Sequence, residues 1–397
     1  MTMKRIAFIA AAAAAMLLAG CENAEYSPKG NIIYFDAAAG GEKSQMVTLE
    51  GASVDLPMLV RLAQKAEQDV EVQIVFDPAQ IDEFNSLNGT DYLPVPESAL
   101  PSEGKITIPK GEVGVTYNLH VSSFESDGAT YAVPVRIASS SASDIPVSSV
   151  QSKFVYVLTI PLSVTVPTMR PSSSSPILAE PTSESGIEVE DWTIETWVKM
   201  DGFRKNNQAL FTSGNSDKGC EIYVRFGDAN RPFNYLQAKI MGNNDISTDR
   251  DWEADRWYHV AIVCTKADSK VAIYRDGVKI KEAGVTYPSD GKCKIDQFQM
   301  ISSGNMWFVN NCSMGQVKLW KVARTPKEIT DNMYFSVNPQ NPNLIGYWPL
   351  DKNINVDEGG VPNESEVIFE DITGNGHNAV CPWGMVNSWT DNVNFKN

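Results

Sequence analysis

The stretch from Arg256 to Ile280, RWYHVAIVCTKADSKVAIYRDGVKI, constrains this chain more than any other. Trp257 to Cys264 is an aromatic and β-branched run of strand length. Val271 to Tyr274, then Asp276-Gly277, then Val278 to Ile280 read as a hairpin, because Asp-Gly supplies the two positive-φ positions of a type I′ turn. Two antiparallel connections in succession make a meander, and its apolar face needs a second layer to cover it. The C-terminal half is therefore expected to fold as two stacked β-layers.

The residues around this hairpin resemble the laminin G and concanavalin A-like lectin/glucanase fold in its bacterial form. The resemblance is carried by Asp191-Trp-Thr-Ile-Glu-Thr-Trp-Val-Lys199, Trp257-Tyr-His-Val-Ala-Ile262, Tyr274-Arg-Asp-Gly277 and the run from Met314 to Ile329. These motifs stand in the family's order over residues 183–332. A trailing pair, Leu344-Ile-Gly-Tyr-Trp-Pro-Leu-Asp351 and Asp371-Ile-Thr-Gly-Asn-Gly-His-Asn378, follows them, whereas in many relatives it precedes the Trp-Val-Lys strand. Which strand of the sandwich it forms is left open, and residues 333–397 are expected to pack against the laminin G-like domain.

With 397 residues the chain has room for two or three domains. Lys4-Arg5 form a basic start, Ile6 to Leu18 an apolar run, and Leu17-Leu-Ala-Gly-Cys21 reads as a lipobox. The apolar run is short for a bilayer span, so residues 1–20 are expected to be a cleaved lipoprotein signal peptide, with Cys21 carrying the lipid and 21–29 a tether. Removing Lys4 and Arg5, with no acid lost, takes the formal net charge from −16 to −18. Such an acidic body argues against nucleic acid or an anionic membrane as a partner of its surface. The membrane is then met only through Cys21, and Glu22-Asn23 lacks the Asp that favours inner-membrane retention. The expected address is the cell envelope, on the outer membrane facing the cell surface.

After the tether, strands are expected at 31–35, 69–76, 104–109, 117–121, 131–137 and 154–160, with period-two alternation and no long helical period between them. This spacing reads as an immunoglobulin-like sandwich over residues 30–166. The region also resembles the domain of unknown function near the N-terminus of many Bacteroidetes surface lipoproteins, often ahead of a family 18 glycosidase or lectin-like module. Phe84 to Glu97, Ile106 to Gly111 and Tyr131 to Ile137 carry that likeness, which implies a spacer or accessory role. Pro167 to Pro181 contains Pro-Ser-Ser-Ser-Ser-Pro, so 167–182 is expected to be the linker to the second domain.

All nine tryptophans follow that stretch. Trp192, Trp197, Trp257, Trp320 and Trp348 sit in alternating apolar motifs and are expected in the core. Trp252, Trp307, Trp383 and Trp389 lie in polar surroundings, and with Tyr235 they are the candidates to stack on a sugar ring. Asn243 and Asn310, each followed by a second Asn, are candidate amide partners. Cysteines 220, 264, 293, 312 and 381 remain after the signal, an odd number, so at least one thiol stays free; Cys293 with Cys312, flanking a strand at 297–301, is the favoured bridge. With three histidines and no Cys-x-x-Cys, zinc is not expected. Calcium is a candidate at Asp249 and Asp251 or at Asp371 and Asn375, against a plain polar loop and an Asx-stabilised turn, which are the favoured readings.

For glycoside hydrolysis two carboxylates about 5 Å or about 6.5 to 9.5 Å apart are needed. Glu188-Val-Glu190 is the nearest approach, and it does not match the acid spacing of the glucanases of this fold; a solvated strand start is the favoured reading. The sequence also lacks a nucleophile elbow, a phosphate loop and a dinucleotide fingerprint. The expectation is an all-β, two-sandwich lipoprotein without catalytic residues that binds a glycan or glycosylated partner. Adhesive or structural contact with a protein is the alternative, and a glycoside hydrolase the third.

Overall fold

The structure, a computed structural model, describes residues 30–48, 53–88, 90–101, 104–122, 124, 130–159, 162–179, 186–214 and 219–395. The signal segment, Cys21 and the tether lie outside these residues. The chain forms two β-sandwiches in succession.

The first contains β1 (Ile33–Phe35), β2 (Ser44–Thr48), β3 (Val54–Leu62), β4 (Val70–Phe76), helix α1 (Ala79–Asn88), β5 (Leu93–Pro94), β6 (Gly104–Ile108), β7 (Gly114–Val121), β8 (Tyr131–Ser140) and β9 (Lys153–Thr159). One sheet has the order β1-β3-β7, and the other β2-β9-β8-β4-β6 with β5 alongside β8. Leu56, Met58, Val60 and Leu62 alternate inward along β3 and meet Val70, Val72 and Ile74 of β4 in a single apolar core. Strand β3 is not among the strands expected from the sequence, and it contains Pro57, which lacks a ladder donor. It is tolerated because β1 covers only Val60 to Leu62, which leaves Pro57 with β7 as its one neighbour. Helix α1 is a second departure from the expected uninterrupted run of strands. It caps the outer face of the second sheet, where Ile81 and Phe84 pack on Tyr92, Ala132, Val155 and Val157.

The second sandwich contains β10 (Ser163–Met169), β11 (Ile177–Ala179), β12 (Ile187–Val189), β13 (Trp192–Met200), β14 (Gln208–Ser213), β15 (Ile222–Phe226), β16 (Leu236–Ile240), β17 (Asn243–Ser247), β18 (Tyr258–Thr265), β19 (Lys270–Arg275), β20 (Val278–Gly284), β21 (Cys293–Ile295), β22 (Phe298–Met300), β23 (Cys312–Trp320), helix α2 (Pro326–Asn332), β24 (Leu344–Trp348), β25 (Glu366–Phe369), β26 (Ala379–Pro382) and β27 (Val386–Asn394). One sheet runs β20-β19-β18-β13-β23-β10-β27, the facing one β17-β16-β15-β14-β22-β11-β26-β25. The hairpin turns as its sequence requires: Arg275 pairs with Val278, and Asp276 and Gly277 have φ of 51° and 78°.

The stretch expected as a linker is part of this sandwich. Val164, Val166 and Met169 make β10 an inner strand between β23 and β27, while Ile177 and Ala179 make β11 an inner strand of the other sheet. The serines between them only carry the chain across from one sheet to the other. Residues 333–395 are likewise built in, since β24 extends β23 and β25 to β27 complete both sheets. The trailing motif is therefore β24, where Gly346 leaves room for the Trp348 indole: a Cβ there would stand 2.3 Å from the ring. Trp192, Ile194, Val198 and Met200 of β13 face the inter-sheet core, and Thr193, Glu195 and Trp197 face outward. That outer face is roofed by α2 and the segment after it. Ile329 covers Ala261, Val263 and Tyr274, and Val337 covers Trp320 and Tyr347.

Candidate functional site

Four loops meet at one end of the second sandwich. Asn305 donates its backbone N–H to the Ser173 carbonyl at 2.9 Å and its side chain to Ser172 at 3.1 Å. Arg170 N–H reaches the Met385 carbonyl at 2.9 Å, and Asn387 donates to Asn311 at 3.2 Å. Arg204 reaches the Val309 carbonyl at 3.1 Å. The loops over 170–176, 201–207, 302–311 and 382–387 therefore form one surface. Within it Gly304, at φ 68°, accepts the N–H groups of Trp307 and Phe308. That turn sends Phe308 fully into the core and leaves Trp307 42% exposed beside Met306. Trp383, 39% exposed, stands on the turn that Met385 closes onto Pro382. Lys205 lies 4.7 Å over the Trp307 ring and donates to the Met306 carbonyl.

Asn310 belongs to this end but is not a ligand-facing amide. It is fully buried, donating to Asp201 at 2.5 Å and accepting from Arg204 N–H at 3.0 Å. Asp201 also accepts from Asn311 at 2.9 Å, so one carboxylate organises the base of the loops. The other candidates are placed elsewhere. Trp252 is a core residue, 2% exposed, with its indole N–H on Thr248 at 3.1 Å and its ring against Phe226 and Tyr258. Tyr235 is buried too, its hydroxyl accepting from Asp228 N–H at 2.9 Å. Asn243 opens the far edge strand and donates to Gly284 at 2.9 Å. Trp389 is 38% exposed on β27, packed edge-on to Phe369. Polar neighbours in sequence misled at Trp252: Asp251 is drawn off by Arg275 at 2.6 and 2.8 Å, and the indole sinks beneath that pair.

Three of the four calcium candidates, Asp251, Asp371 and Asn375, are engaged with other groups. Asp371 accepts from the backbone of Tyr347, Thr373 and His377, at 3.0, 3.1 and 3.2 Å, as the organiser of an Asx-type turn. Asn375 donates to the carbonyls of Leu344 and Ile345. Asp249 is exposed on the other sheet's edge loop. Among the described residues, no three His, Cys, Asp or Glu side chains converge as a metal-binding group. The bridge between Cys293 and Cys312 does not form. Both are buried thiols, and Cys293 lies against Cys220, its Sγ 3.6 Å from the Cys220 carbonyl. Flanking one strand in sequence did not bring the two together, because β21 pairs with β12 while β23 is central to the first sheet.

Of the acid pair, Glu188 is held by Lys292 at 2.8 Å and Glu190 by Lys266 at 2.7 Å, both on the surface. A different carboxylate was missed. Glu195, 1% exposed beneath the roof, meets Arg324 at 3.3 Å and His259 at 3.5 Å, with Lys318 also buried beside them. Burial alone would raise the Glu195 carboxyl, but Arg324, His259 and Lys318 outweigh it and hold it down to about 2. Burial pushes the His259 imidazole below its usual value, against the pull of Glu195. It lowers Lys318 to about 8 in the same way. The only sequence signal for this cluster was the polar-outward half of the β13 alternation, where Glu195 shares a face with Thr193 and Trp197.

Comparison with known proteins agrees with this architecture. Residues 175–330 match the model described as the concanavalin A-like lectin/glucanases superfamily, of laminin G type, and residues 26–144 match a model described as an N-terminal domain. No curated protein matches the chain. A Bacteroides ovatus protein provisionally assigned to carbohydrate binding is 21% identical, with a TM-score of 0.54 over 90% of this chain and 97% of that one. EndoBT-3987 of Bacteroides thetaiotaomicron, solved with its Man5GlcNAc product, is 21% identical over 30% of this chain and 28% of its own, with a TM-score of 0.26. A heptameric pentraxin of Limulus polyphemus is 13% identical over 57% of this chain and 98% of its own, at 0.33. Residues 175–330, within the second sandwich, are thus a laminin G-type domain of the concanavalin A-like lectin/glucanase superfamily.

Proposed function

We propose that this protein is a lipid-anchored cell-envelope binder of glycans or glycoconjugates, without catalysis, accessory to polysaccharide capture. The observation that carries the reading is the loop end of the second sandwich, where Trp307 and Trp383 are held in the open by a rigid base. Indole is costly to leave in water, and its flat face suits the axial C–H groups of a sugar ring. Lys205, Asn311 and Asn387 beside them supply donors and an acceptor for hydroxyl groups. The fold shared with the Bacteroides ovatus protein supports the same reading. So does the state of the acids: Glu188 and Glu190 are neutralised by lysines, and Glu195 is closed off beneath α2. The first sandwich would stand as a spacer between the lipid on Cys21 and the binding domain, at the outer membrane facing the cell surface.

The test is a glycan array probed with the mature protein and with the Trp307→Ala/Trp383→Ala double variant. Selective binding that falls at least tenfold in the double variant supports the assignment. Binding unchanged by the two substitutions removes the loop end as the site, and no binding to any glycan removes the function.

A further inference from the structure

We propose that Cys220 and Cys293 are a disulfide pair, closed by thiol–disulfide exchange as the chain folds in an oxidising compartment. The two residues stand 73 positions apart, Cys220 just ahead of β15 and Cys293 at the start of β21. Their contact is reciprocal. Cys220 Sγ accepts the Lys294 N–H at 3.3 Å and reaches the Lys292 carbonyl at 3.9 Å, so it sits against the backbone on both sides of Cys293. Cys293 Sγ in turn lies 3.6 Å from the Cys220 carbonyl. Each sulfur rests on the backbone at the other residue, which is the approach a disulfide requires.

The surrounding backbone holds both residues in place. Gly214, at φ 78°, lies so close to the Cys220 carbonyl that a Cβ there would stand 1.9 Å from the oxygen. Glu221, next in the chain, accepts the Met241 N–H at 3.0 Å. On the other side Cys293 pairs with Val189 in the β12–β21 ladder. Both cysteines belong to the apolar core between the sheets, 4% and 0% exposed. A bond between them ties the β12–β21 ribbon to the eight-stranded sheet that contains β15.

The other described thiols face elsewhere. Cys264 Sγ lies 3.4 Å from the Tyr287 hydroxyl, and Cys312 Sγ lies 3.9 Å from the Ser313 carbonyl. Cys381 pairs with Val367 in the β25–β26 ladder. The five cysteines thus resolve into one bridge and three buried thiols. Burial, and after it the neighbouring Cys220, push the Cys293 thiol up, so little thiolate exists once the core has closed. The exchange therefore belongs to folding, before the pair is covered.

The step is a two-electron exchange with an incoming disulfide, either glutathione disulfide or the active-site disulfide of an oxidoreductase. One cysteine thiolate attacks that disulfide, forms a mixed disulfide and releases one thiol. The second thiolate attacks the mixed disulfide; the Cys220–Cys293 S–S bond forms and the second thiol leaves. The two cysteines are oxidised, and the incoming disulfide is reduced to two thiols that take up the two protons. The envelope address proposed above supplies such an oxidant in the cell. The pairing itself rests on the contacts around the two sulfurs and on no part of the glycan reading.

The experiment is refolding of the mature chain from urea into a buffer of reduced glutathione and glutathione disulfide, with Cys21→Ala so that the anchor cysteine cannot compete. Remaining thiols are alkylated in denaturant, and the peptides are mapped without reduction. The expected result is a linked Cys220–Cys293 peptide as the main product, with Cys264, Cys312 and Cys381 alkylated. The bridged chain should also melt roughly 5 °C or more above the same chain refolded in reductant, a difference that Cys220→Ser removes. The map of the chain with both cysteines decides the question even if that variant does not fold. Five alkylated cysteines, glutathione adducts without a linked peptide, or a link between any other pair overturns the proposal, and each of these outcomes leaves the loop-end site standing.

Discussion

Arg324 Nε stands 3.3 Å from Glu195 Oε1, and neither side chain is more than 4% exposed. A buried pair of this kind adds little net stability over an apolar filling, but removing one partner leaves the other charged and dry. Arg324→Met should therefore destabilise the second sandwich by about 3 to 5 kcal/mol. Urea unfolding of wild type and variant at one pH measures it, and a change under about 1 kcal/mol would show that Glu195 finds other partners.

Lys318 gives the stability a pH dependence with a definite sign. Its folded value is lowered from 10.5 to about 8, because burial disfavours the charged amine. Between those values the unfolded chain binds the extra proton, so stability from this group rises with pH across the window and is flat below it. The gain approaches about 3 kcal/mol by pH 10.5, at about 1.4 kcal/mol per unit. Lys318→Met should lose that upward slope between pH 8 and pH 10, and parallel curves for the two proteins would contradict the assignment.

Trp252 and Trp307, both candidates for the same task from their sequence surroundings, should behave oppositely. Trp252→Ala empties a core position and should cost about 3 to 5 kcal/mol. Trp307→Ala lies at the surface and should stay within about 0.5 kcal/mol of wild type. Thermal melts of the two variants distinguish them, and equal losses would place Trp307 in the core.

All five described cysteines are buried thiols, and burial raises the Cys264 and Cys381 thiols to about 12. Thiolate is the reactive form, so these groups should resist labelling by a soluble maleimide until the chain is unfolded. Mass spectrometry of peptides from the native, labelled protein should find Cys293 and Cys312 unlabelled and not joined to each other. A Cys293–Cys312 cross-linked peptide would contradict the structure.

The envelope assignment makes its own demand. Cys21→Ala should move the protein from the membrane fraction to the soluble one when expressed with its signal, because Cys21 is the proposed acceptor of the lipid. Retention in the membrane fraction would remove the lipid anchor.

What could be read from the sequence was what is decided locally. The Asp276-Gly277 turn and the outward placing of Trp307 follow from neighbouring residues. What could not be read depends on which strands become neighbours. Pro167 and the serine run look like a hinge until β10 and β11 are seen to enter opposite sheets. Trp252 looks exposed until Arg275 removes Asp251 from beside it. Glu195 looks like an ordinary outward strand residue until α2 and the 333–337 segment close over it. Cys293 looks like a partner for Cys312 until β21 pairs with β12 and turns it toward Cys220.

The central claim, that this surface holds a glycan and leaves it intact, is tested most directly by incubating the mature protein with a glycan it retains and counting new reducing ends. The account predicts saturable retention with no reducing ends above the protein-free control. Reducing ends that accumulate with time, and that disappear when a carboxylate of the second sandwich is replaced, would contradict it.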